Sequence, residues 1–349
     1  MRVFGVFPRF RYVLALLAVG LLLVAPVPRA QAPAQKPLDI YFIDVEGGQA
    51  TLIVAPSGES MLVDTGFPGQ EGRDLARIEA AAKQAGVSRI DYMVITHYHT
   101  DHVGNVPALA TRIPIRTFVD HGSTVETANT RLYDAYVEAR KSGRHLQVKP
   151  GDKIPIAGLD VTVVAAAGQG LASPLPGAGA ANPLCAAHQP KDADPSENAQ
   201  SVGIVIGHGR FRMLDLGDLT WNKEHDLVCP SNRIGPIDLY LTTHHGSDTS
   251  GPAVLVQAVA PRVAIMNNGA KKGGSPPAWR IVRNSPGLED LWQLHYAVAG
   301  GVESNTANDL IANVDETTAH AIKVSAQSDG SFTVANARNG LTKTYKARP

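Results

Sequence analysis

The stretch THYHTDHVGN, residues 96–105, places three histidines and an aspartate within six positions, directly after an apolar run. His97 and His99 are two residues apart, so at the end of a strand both side chains project to the same side. Asp101 and His102 follow as the chain turns into a helix, from which they can face the same point. Imidazole nitrogen and carboxylate oxygen are ligands for zinc and its first-row neighbours. The stretch therefore predicts a metal site at the carboxyl end of a buried strand.

The second half of the chain repeats this arrangement. A strand-like run ends in Asp64 in the first half and in Asp218 in the second, and each half also brings histidines to a strand end. Ligands that arrive from the carboxyl ends of strands in two related halves can build one site at their junction. The alternation of strand-like and helical spacing indicates an α/β protein of the mixed α+β kind.

The N-terminal residues are predicted to be a secretory signal peptide. Arginines precede the apolar run Tyr12–Val27, and the small residues Ala30 and Ala32 supply a cleavage site. The prediction is a signal peptide at 1–32, a linker at 33–37, and a periplasmic or secreted protein without a stable membrane span after cleavage. A retained anchor is the alternative, although the run is sixteen residues long and a bilayer crossing needs about twenty. A lipid anchor is excluded because no cysteine lies near the cleavage site.

Composition and charge limit the partners. The 349 residues are 44% hydrophobic and 18% charged, as in an ordinary globular protein. Signal cleavage removes four arginines and no acid, which leaves 28 bases against 32 acids and a net charge of −4. This charge does not support tight binding of nucleic acid, which stays one candidate substrate. A basic patch of Lys271, Lys272, Arg280 and Arg283 could contact phosphates, but a solvated loop is the simpler interpretation.

Two features of the middle of the chain remain open. Cys185 and Cys229 are the two cysteines, and a single disulfide between them is one option in an oxidising compartment. Neither cysteine has the spacing of a zinc knuckle. Residues 167–200 form a long stretch without periodicity, which is typical of either a disordered segment or a lid over a site.

Four ordered motifs together resemble the metallo-β-lactamase superfamily. They are Val63-Asp64-Thr65-Gly66, the histidine stretch, Leu216-Gly217-Asp218 and His244-His245-Gly246-Ser247. The resemblance implies a four-layer αββα sandwich with a two-metal hydrolytic site. Within the superfamily, FIDVEGGQATLIVAPSG is similar to the opening of the competence-type, DNA-uptake branch, which typically reads DVGQGDA. The chain departs from that branch at Glu46 and where Gly274-Ser275-Pro276 replaces a GHP triplet. The hydrolase prediction survives these departures, but they leave open whether DNA is the substrate.

The resemblance also implies roles for individual residues. His97 and His99 would hold the first metal ion, and Asp101 and His102 the second. Asp218 would bridge the two ions, and Asp101 and Asp218 would be the catalytic acids.

One ligand choice stays open in this set. Either His244 or His245 completes the second site, and our preference falls on His244. Asp64 is similar to the acid that orients the histidine ligands through their other ring nitrogen.

The first metal ion lacks an obvious third protein ligand. Relatives usually have a histidine in the turn before the strand that begins near residue 201, where this chain reads Glu197-Asn198-Ala199-Gln200. Asn198 or Glu197 could coordinate directly or through water. His188 in the long loop is another candidate, and His121 is expected to play a supporting or structural role.

The domain boundaries follow from these motifs. Residues 38–300 are predicted to form the hydrolase domain. Residues 301–349 carry a hairpin signal at Ser328-Asp329-Gly330 and are predicted to form a C-terminal β extension packed on the sandwich.

The chemistry predicted is hydrolysis by two divalent ions, zinc or alternatively manganese. Two neighbouring ions generate hydroxide near neutral pH and stabilise the attacking and leaving oxygens. The leading hypothesis is an exported phosphodiesterase-like enzyme for a small-molecule or polymeric ester. A lactonase or β-lactamase, or a non-catalytic metal-binding protein, is the alternative.

Overall fold

The computed structural model describes residues 1–6, 8–9 and 36–348. Within it, Gln35–Pro349 is one compact unit. Most of the predicted signal peptide, its cleavage site and most of the linker lie outside the described residues. Within the described ranges, no helix has both the length and the apolar character that crossing a bilayer requires.

The first half of the chain builds a mixed sheet. Its strands are β1 (Leu38–Phe42), β2 (Thr51–Val54), β3 (Ser60–Val63), β4 (Ile90–Val94), β5 (Ile115–Asp120) and β6 (Arg144–Gln147). β1 to β3 form an antiparallel meander, whereas β3 to β6 run parallel. Parallel neighbours need crossover connections. Helices supply them: α1 (Arg73–Gln84), α2 (Thr100–Val103), α3 (Val106–Ala110) and α4 (Arg131–Ala139).

The second half builds a matching sheet. Its strands are β7 (Lys153–Ile154), β8 (Asp160–Ala166), β9 (Gln169–Gly170), β10 (Gly203–His208), β11 (Phe211–Asp215), β12 (Leu239–Leu241), β13 (Val263–Met266), β14 (Asp290–His295) and β15 (Ile311–Asn313). β7, β8, β10 and β11 are antiparallel neighbours, and β11 to β15 run parallel. The helices of this half are α5 (Trp221–Val228), α6 (Ala253–Val259) and α7 (Pro276–Arg283).

The last three strands return to the first sheet. They are β16 (Ile322–Ala326), β17 (Phe332–Asn336) and β18 (Thr342–Tyr345). β16 pairs antiparallel with β1, with Val324 opposite Ile40. The C-terminal strands thus continue the first sheet through main-chain hydrogen bonds, and Trp292 Nε1 donates to Tyr345 Oη at 3.0 Å from the second sheet.

Three hydrophobic cores separate four layers. Between the sheets, Ile40 and Val63 of the first sheet pack with Ile204 and Leu239 of the second. A second core joins the outer face of the first sheet to α1, α3 and α4. A third joins the outer face of the second sheet to α5, α6 and α7. The predicted αββα sandwich is therefore confirmed.

The long segment 167–200 is folded against α5. Cys185 and Cys229 form a disulfide across a sequence separation of 44. The ring of His188 stacks on His225, with 4.5 Å between ring centres, and lies 5.9 Å from Trp221. The disulfide and the stacked rings hold this segment against α5.

Removal of the disulfide should destabilise the protein, because the cross-link restricts the unfolded chain. The expected loss in the free energy of unfolding is about 2–5 kcal/mol. Urea unfolding of the wild type and of a Cys185→Ser/Cys229→Ser variant measures it, and the reduced wild type should match the variant. Equal unfolding midpoints for the oxidised and reduced protein would contradict this prediction.

A buried carboxyl of α5 supports the segment that follows β12. Glu224 is fully buried, and its Oε2 accepts a hydrogen bond from Gly251 N at 2.6 Å. Burial raises the pKa of Glu224 to about 8, despite hydrogen bonds from Thr243 and Gly251 that act in the opposite direction. The folded protein therefore keeps this proton at neutral pH, whereas the unfolded chain releases it near pH 4.5.

The stability that this protonated carboxyl contributes is complete below about pH 4.5. It should be lost as the pH rises through about 8. In Glu224→Gln the neutral amide keeps an acceptor for Gly251 N and has no proton to lose. The stability of this variant relative to wild type should rise from pH 5 to pH 8, by up to roughly 1.4 kcal/mol per pH unit. Urea unfolding at pH 5, 6.5 and 8 measures the difference. Glu138→Gln, at an exposed ion pair with Lys141, is the control and should show no such trend.

Candidate metal centre

The candidate site lies at the carboxyl ends of parallel strands from both sheets. In the first sheet, Asp64 follows β3 and His97 follows the neighbouring strand β4. In the second sheet, Asp218 follows β11, and His244 and His245 follow the neighbouring strand β12. Ligand sites of α/β sheets generally form at this edge.

The carboxylate of Asp218 stands at the centre of the site. Its Oδ2 lies 3.2 Å from His102 Nε2, 3.3 Å from His244 Nε2 and 4.0 Å from His97 Nε2. Its Oδ1 lies 3.3 Å from His245 Nε2. The two oxygens of one carboxylate therefore face different imidazoles, a position from which Asp218 could be shared by two ions.

Asp101 provides the second carboxylate. Its Oδ2 lies 3.2 Å from His102 Nε2 and 3.2 Å from His245 Nε2. One ligand atom from each of Asp101, His102, Asp218 and His245 falls within 4.8 Å of the others, and all four residues are buried. This group is a candidate position for a metal ion.

The chemistry of these side chains fits a metal centre. Within the described residues, His97 Nε2, His102 Nε2, His245 Nε2 and Asp218 Oδ1 are buried and lack a hydrogen-bond partner. Buried polar atoms are normally paired, and an unpaired one needs an explanation. Divalent ions bound among these imidazoles and carboxylates would supply the missing partners.

The other ring nitrogens are held by side chains behind the site. His102 Nδ1 lies 2.7 Å from Asp64 Oδ2. Asp64 in turn accepts hydrogen bonds from Thr96 N and Thr96 Oγ1 at 2.8 and 2.6 Å. Thr96 Oγ1 also lies 3.1 Å from His97 Nδ1. Asp64 and Thr96 thus orient both rings with Nε2 toward Asp218, which is the arrangement expected behind metal-binding histidines.

His245, rather than the preferred His244, belongs with Asp101 and His102. His245 faces both Asp101 and Asp218, whereas His244 faces only Asp218, at the Oδ2 that His97 and His102 also face. Both histidines have left-handed backbone angles, with φ of 54° and 55°. This sharp turn points two consecutive side chains to different sides of Asp218, an outcome that the sequence pattern does not encode.

His99 is turned away from this arrangement. Its Nε2 lies 2.9 Å from Glu126 Oε1, and its ring lies edge-on to that of His97, with 4.6 Å between centres. The pairing of His97 with His99 at the first metal ion is what the resemblance implies. The structure instead brings His244 to the side of Asp218 that faces His97.

Glu197 is engaged in structural hydrogen bonds. Its carboxylate accepts bonds from His121 Nε2 at 2.9 Å, Thr124 Oγ1 at 2.7 Å and Val125 N at 2.7 Å. Burial opposes ionisation, but the hydrogen bonds from His121 and Thr124 outweigh it and lower the pKa of Glu197. Glu197 and His121 therefore brace the 121–125 loop.

Asn198 and His188, the remaining candidates for the third ligand of the first metal ion, differ in their surroundings. Asn198 lies next to Glu197, and its Oδ1 is buried without a hydrogen-bond partner among the described residues. Val202 N donates to Thr96 O at 2.8 Å, which places the turn containing Asn198 beside the strand end that carries His97. His188 stacks on α5 instead. Asn198 is the better candidate.

The electrostatics favour neutral imidazole at His97 and charged carboxylates beside it. Burial holds the pKa of His97 well below its usual value, so its Nε2 lone pair is free at neutral pH. Burial also raises the cost of ionising Asp218, but His102 and His245 outweigh it and hold the pKa of Asp218 well below its usual value. Burial opposes a charge on His102 as well, yet Asp218 and Asp101 raise its pKa well above the usual value. Without an ion, a proton on His102 balances part of this charge.

Two neighbours of the site were not identified from the sequence pattern. Lys272, assigned to an exposed basic patch, contacts Asp101 Oδ2 with its ammonium group. The side-chain amide of Asn267 lies 3.2 Å from His245 Nδ1. The amide turns its Nδ2 to the ring; exchange of its nitrogen and oxygen positions would let Asn267 Oδ1, which is otherwise buried and unpaired among the described residues, accept the Nδ1 proton and leave Nε2 for a metal. Both residues follow β13, and no spacing rule connects them to the histidine stretch.

A second acid and histidine group lies nearby. His295 Nε2 lies 2.7 Å from Asp44 Oδ1 and 3.6 Å from Glu46 Oε2. Arg77 Nη1 donates to Asp44 Oδ2 at 2.8 Å and to Glu46 Oε1 at 3.2 Å. The guanidinium neutralises these carboxylates, so we interpret the group as an ion-pair network that joins the two sheets.

Substrate could enter beside the site through an open cavity of about 310 Å³. The residues that line it include His99, Asp101, Glu126, Asn129 and Tyr133. The cavity therefore opens onto one of the candidate metal ligands.

The comparisons with known proteins agree with this geometry. Residues 43–176 match the family model described as the metallo-beta-lactamase superfamily. The chain is 22% identical over 261 residues to ComE operon protein 3 of Bacillus subtilis, a match that covers 70% of this chain and 30% of that protein. It is 33% identical over 82 residues to the hydroxyacylglutathione hydrolase of Stenotrophomonas maltophilia. That match covers 23% of this chain and 29% of the other protein.

Among solved structures, the chain is similar to the metallo-beta-lactamase fold protein YhfI from Bacillus subtilis, with a TM-score of 0.44 and 10% identity. That match covers 73% of this chain and 96% of the other. The chain spans less than a third of the length of the two curated relatives. The family match over residues 43–176, together with the αββα sandwich, shows that the chain carries a metallo-β-lactamase domain.

Proposed function

We propose that the protein is an exported hydrolase that uses two divalent ions to cleave phosphodiesters or phosphate esters. The position of Asp218 is the observation that carries the proposal. Its Oδ2 faces His97, His102 and His244, and its Oδ1 faces His245. A carboxylate in this position can offer one oxygen to each of two ions and offset their mutual repulsion.

The donors divide into two sets around Asp218. His97 and His244 would hold the first ion, with the amide oxygen of Asn198 as a third donor. Asp101, His102 and His245 would hold the second. Imidazole suits zinc, and the larger share of oxygen donors at the second position would also accept manganese.

The ions would supply positive charge to both the attacking and the leaving oxygen. The protein's own groups then fix the geometry. Asp64 and Thr96 hold two imidazoles in place, and Asp101 Oδ2 lies where it can accept a proton as well as bind an ion.

A phosphate ester is the favoured substrate class for two reasons. The match to ComE operon protein 3 extends over 70% of the chain and supports the resemblance to the competence-type branch. The ammonium group of Lys272 also stands beside Asp101, where it can receive an anion. The net charge of the mature chain favours a small or locally bound ester over extended nucleic acid.

Export is proposed from the predicted signal peptide together with the disulfide. Cys185 and Cys229 are paired, and disulfides persist in oxidising compartments such as the periplasm. Zinc or manganese would be acquired there.

The function is tested with purified protein and a matched pair of chromogenic substrates. Metal analysis should find two ions per chain, and bis-p-nitrophenyl phosphate should be hydrolysed. A chelator should abolish turnover, and added zinc or manganese should restore it. Turnover of nitrocefin in place of the phosphodiester would favour a β-lactamase, and bound metal without either activity would overturn the hydrolase proposal.

Replacement of Asp218 by Ala should remove the shared ligand. Even partners that only orient metal ligands contribute about 10–100-fold to metal affinity or activity. We therefore expect turnover to fall by more than about 100-fold, with fewer than two ions retained. Asp248→Ala changes an exposed acid in the loop that follows His244 and His245, and it should leave turnover and metal content unchanged. Two tightly held ions in the Asp218→Ala variant would contradict the bridging role.

A further inference from the structure

Lys272 is an exposed-loop lysine whose charged end is directed into the metal centre. It lies between β13 and α7, and its ammonium contacts Asp101 Oδ2, the same oxygen that faces His102 and His245. Its side chain is 39% exposed, and the ring centre of Phe67 lies 5.4 Å from Nζ. One side of the ammonium thus meets the site and the other meets solvent.

Close backbone packing fixes the position of this lysine. Gly269 N donates to Lys272 O at 2.9 Å, and Gly274 N donates to His245 O at 2.9 Å. A Cβ on Gly47 would lie 2.9 Å from Lys272 Cβ, and one on Gly273 would lie 2.2 Å from His245 O. The loop therefore cannot shift along its neighbours without a clash, and Lys272 has a defined place beside the ligands.

The preceding residue shows that this placement is specific. Lys271 Nζ lies 2.8 Å from Glu316 Oε1, and its side chain is 72% exposed. Two consecutive lysines thus point in different directions, one to a surface carboxylate and one to the metal centre. A general basic patch would not distinguish them.

We propose that Lys272 is the anion-binding residue of the site and receives a negatively charged phosphoryl oxygen of the substrate. This inference rests on the proposed function and names the group that recognises its substrate. A metal ion bound by Asp101 would neutralise the carboxylate that otherwise pairs with the Lys272 ammonium. The ammonium, on a flexible four-carbon stem, is then free to bind a ligand at the same edge of the site.

The charges around the open cavity show why such a cation is needed. Asp101, Glu126 and Glu197 line that cavity and would repel a phosphate. An ammonium is a compact point charge that binds phosphate well. The apolar ring of Phe67 on one side lowers the local dielectric and strengthens the attraction.

The test compares the metal-loaded wild type with Lys272→Met, Lys272→Arg and Lys271→Met. The two methionine variants change the net charge equally within one loop, so Lys271→Met is the matched control. Metal content, the affinity for inorganic phosphate by calorimetry, and the KM and kcat for bis-p-nitrophenyl phosphate are measured for each protein.

Lys272→Met should retain two ions per chain and bind phosphate about 10- to 100-fold more weakly, the usual size of a lost hydrogen bond to a charged group. Its KM should rise by a similar factor, while kcat changes much less. Lys272→Arg should recover most of the phosphate affinity, and Lys271→Met should match the wild type.

Equal phosphate affinity in the two methionine variants at full metal occupancy would overturn the proposal, as would a wild type that binds no phosphate. Tighter metal binding by Lys272→Met with unchanged phosphate affinity would overturn it too, since Lys272 would then only neutralise Asp101. Failure of the proposed function looks different. The wild type would hydrolyse no phosphodiester, yet phosphate binding would still depend on Lys272.

Discussion

The burial of Asp218 among four imidazoles is the constraint on which the rest of the site depends. An ion in the protein interior loses its hydration, at a cost of several kcal/mol that only opposite charge and hydrogen bonds can offset. Asp101 and Asp64 add two more buried carboxylates within the same cluster. A proton on His102 can balance part of this charge, and divalent ions can balance all of it. The surrounding fold must therefore hold acids and imidazoles together in a geometry that suits a metal.

The two sheets meet this requirement by interlocking at their edges. Asp64, His244 and His245 all have positive φ, a strained conformation that persists only where neighbouring structure enforces it. His244 N donates to Gly217 O at 2.9 Å, and a Cβ on Gly217 would lie 2.8 Å from Thr96 Cβ. The loops that carry ligands from one sheet thus pack directly against those from the other. Close contact, rather than the local preference of any one loop, places the ligands.

The sequence could predict what depends on local spacing. The histidine stretch and Asp218 both follow strands, and Asp101 and His102 of that stretch do converge with Asp218. The two-residue spacing brings the rings of His97 and His99 close together, but it does not reveal that His99 meets Glu126, which lies 27 positions away. The turn at His244 and His245 depends on left-handed backbone angles that no pattern of side chains reveals. Lys272 meets Asp101 across 171 positions, a contact that only the assembled sheets create.

Two buried pairs of an acid and a histidine explain why other nearby carboxylates do not compete for metal. Glu197 accepts hydrogen bonds from His121, Thr124 and Val125, so its oxygens are engaged in fixing the wall of the cavity. Asp44 is neutralised by Arg77 and bonded to His295, which ties the start of one sheet to the end of the other. With these acids committed to the scaffold, the proposed first position has one shared carboxylate and the second has two. Because carboxylate charge contributes to the binding of a divalent ion, this division would make the two proposed positions unequal in affinity. Such a difference in affinity would follow from how the scaffold itself is held together.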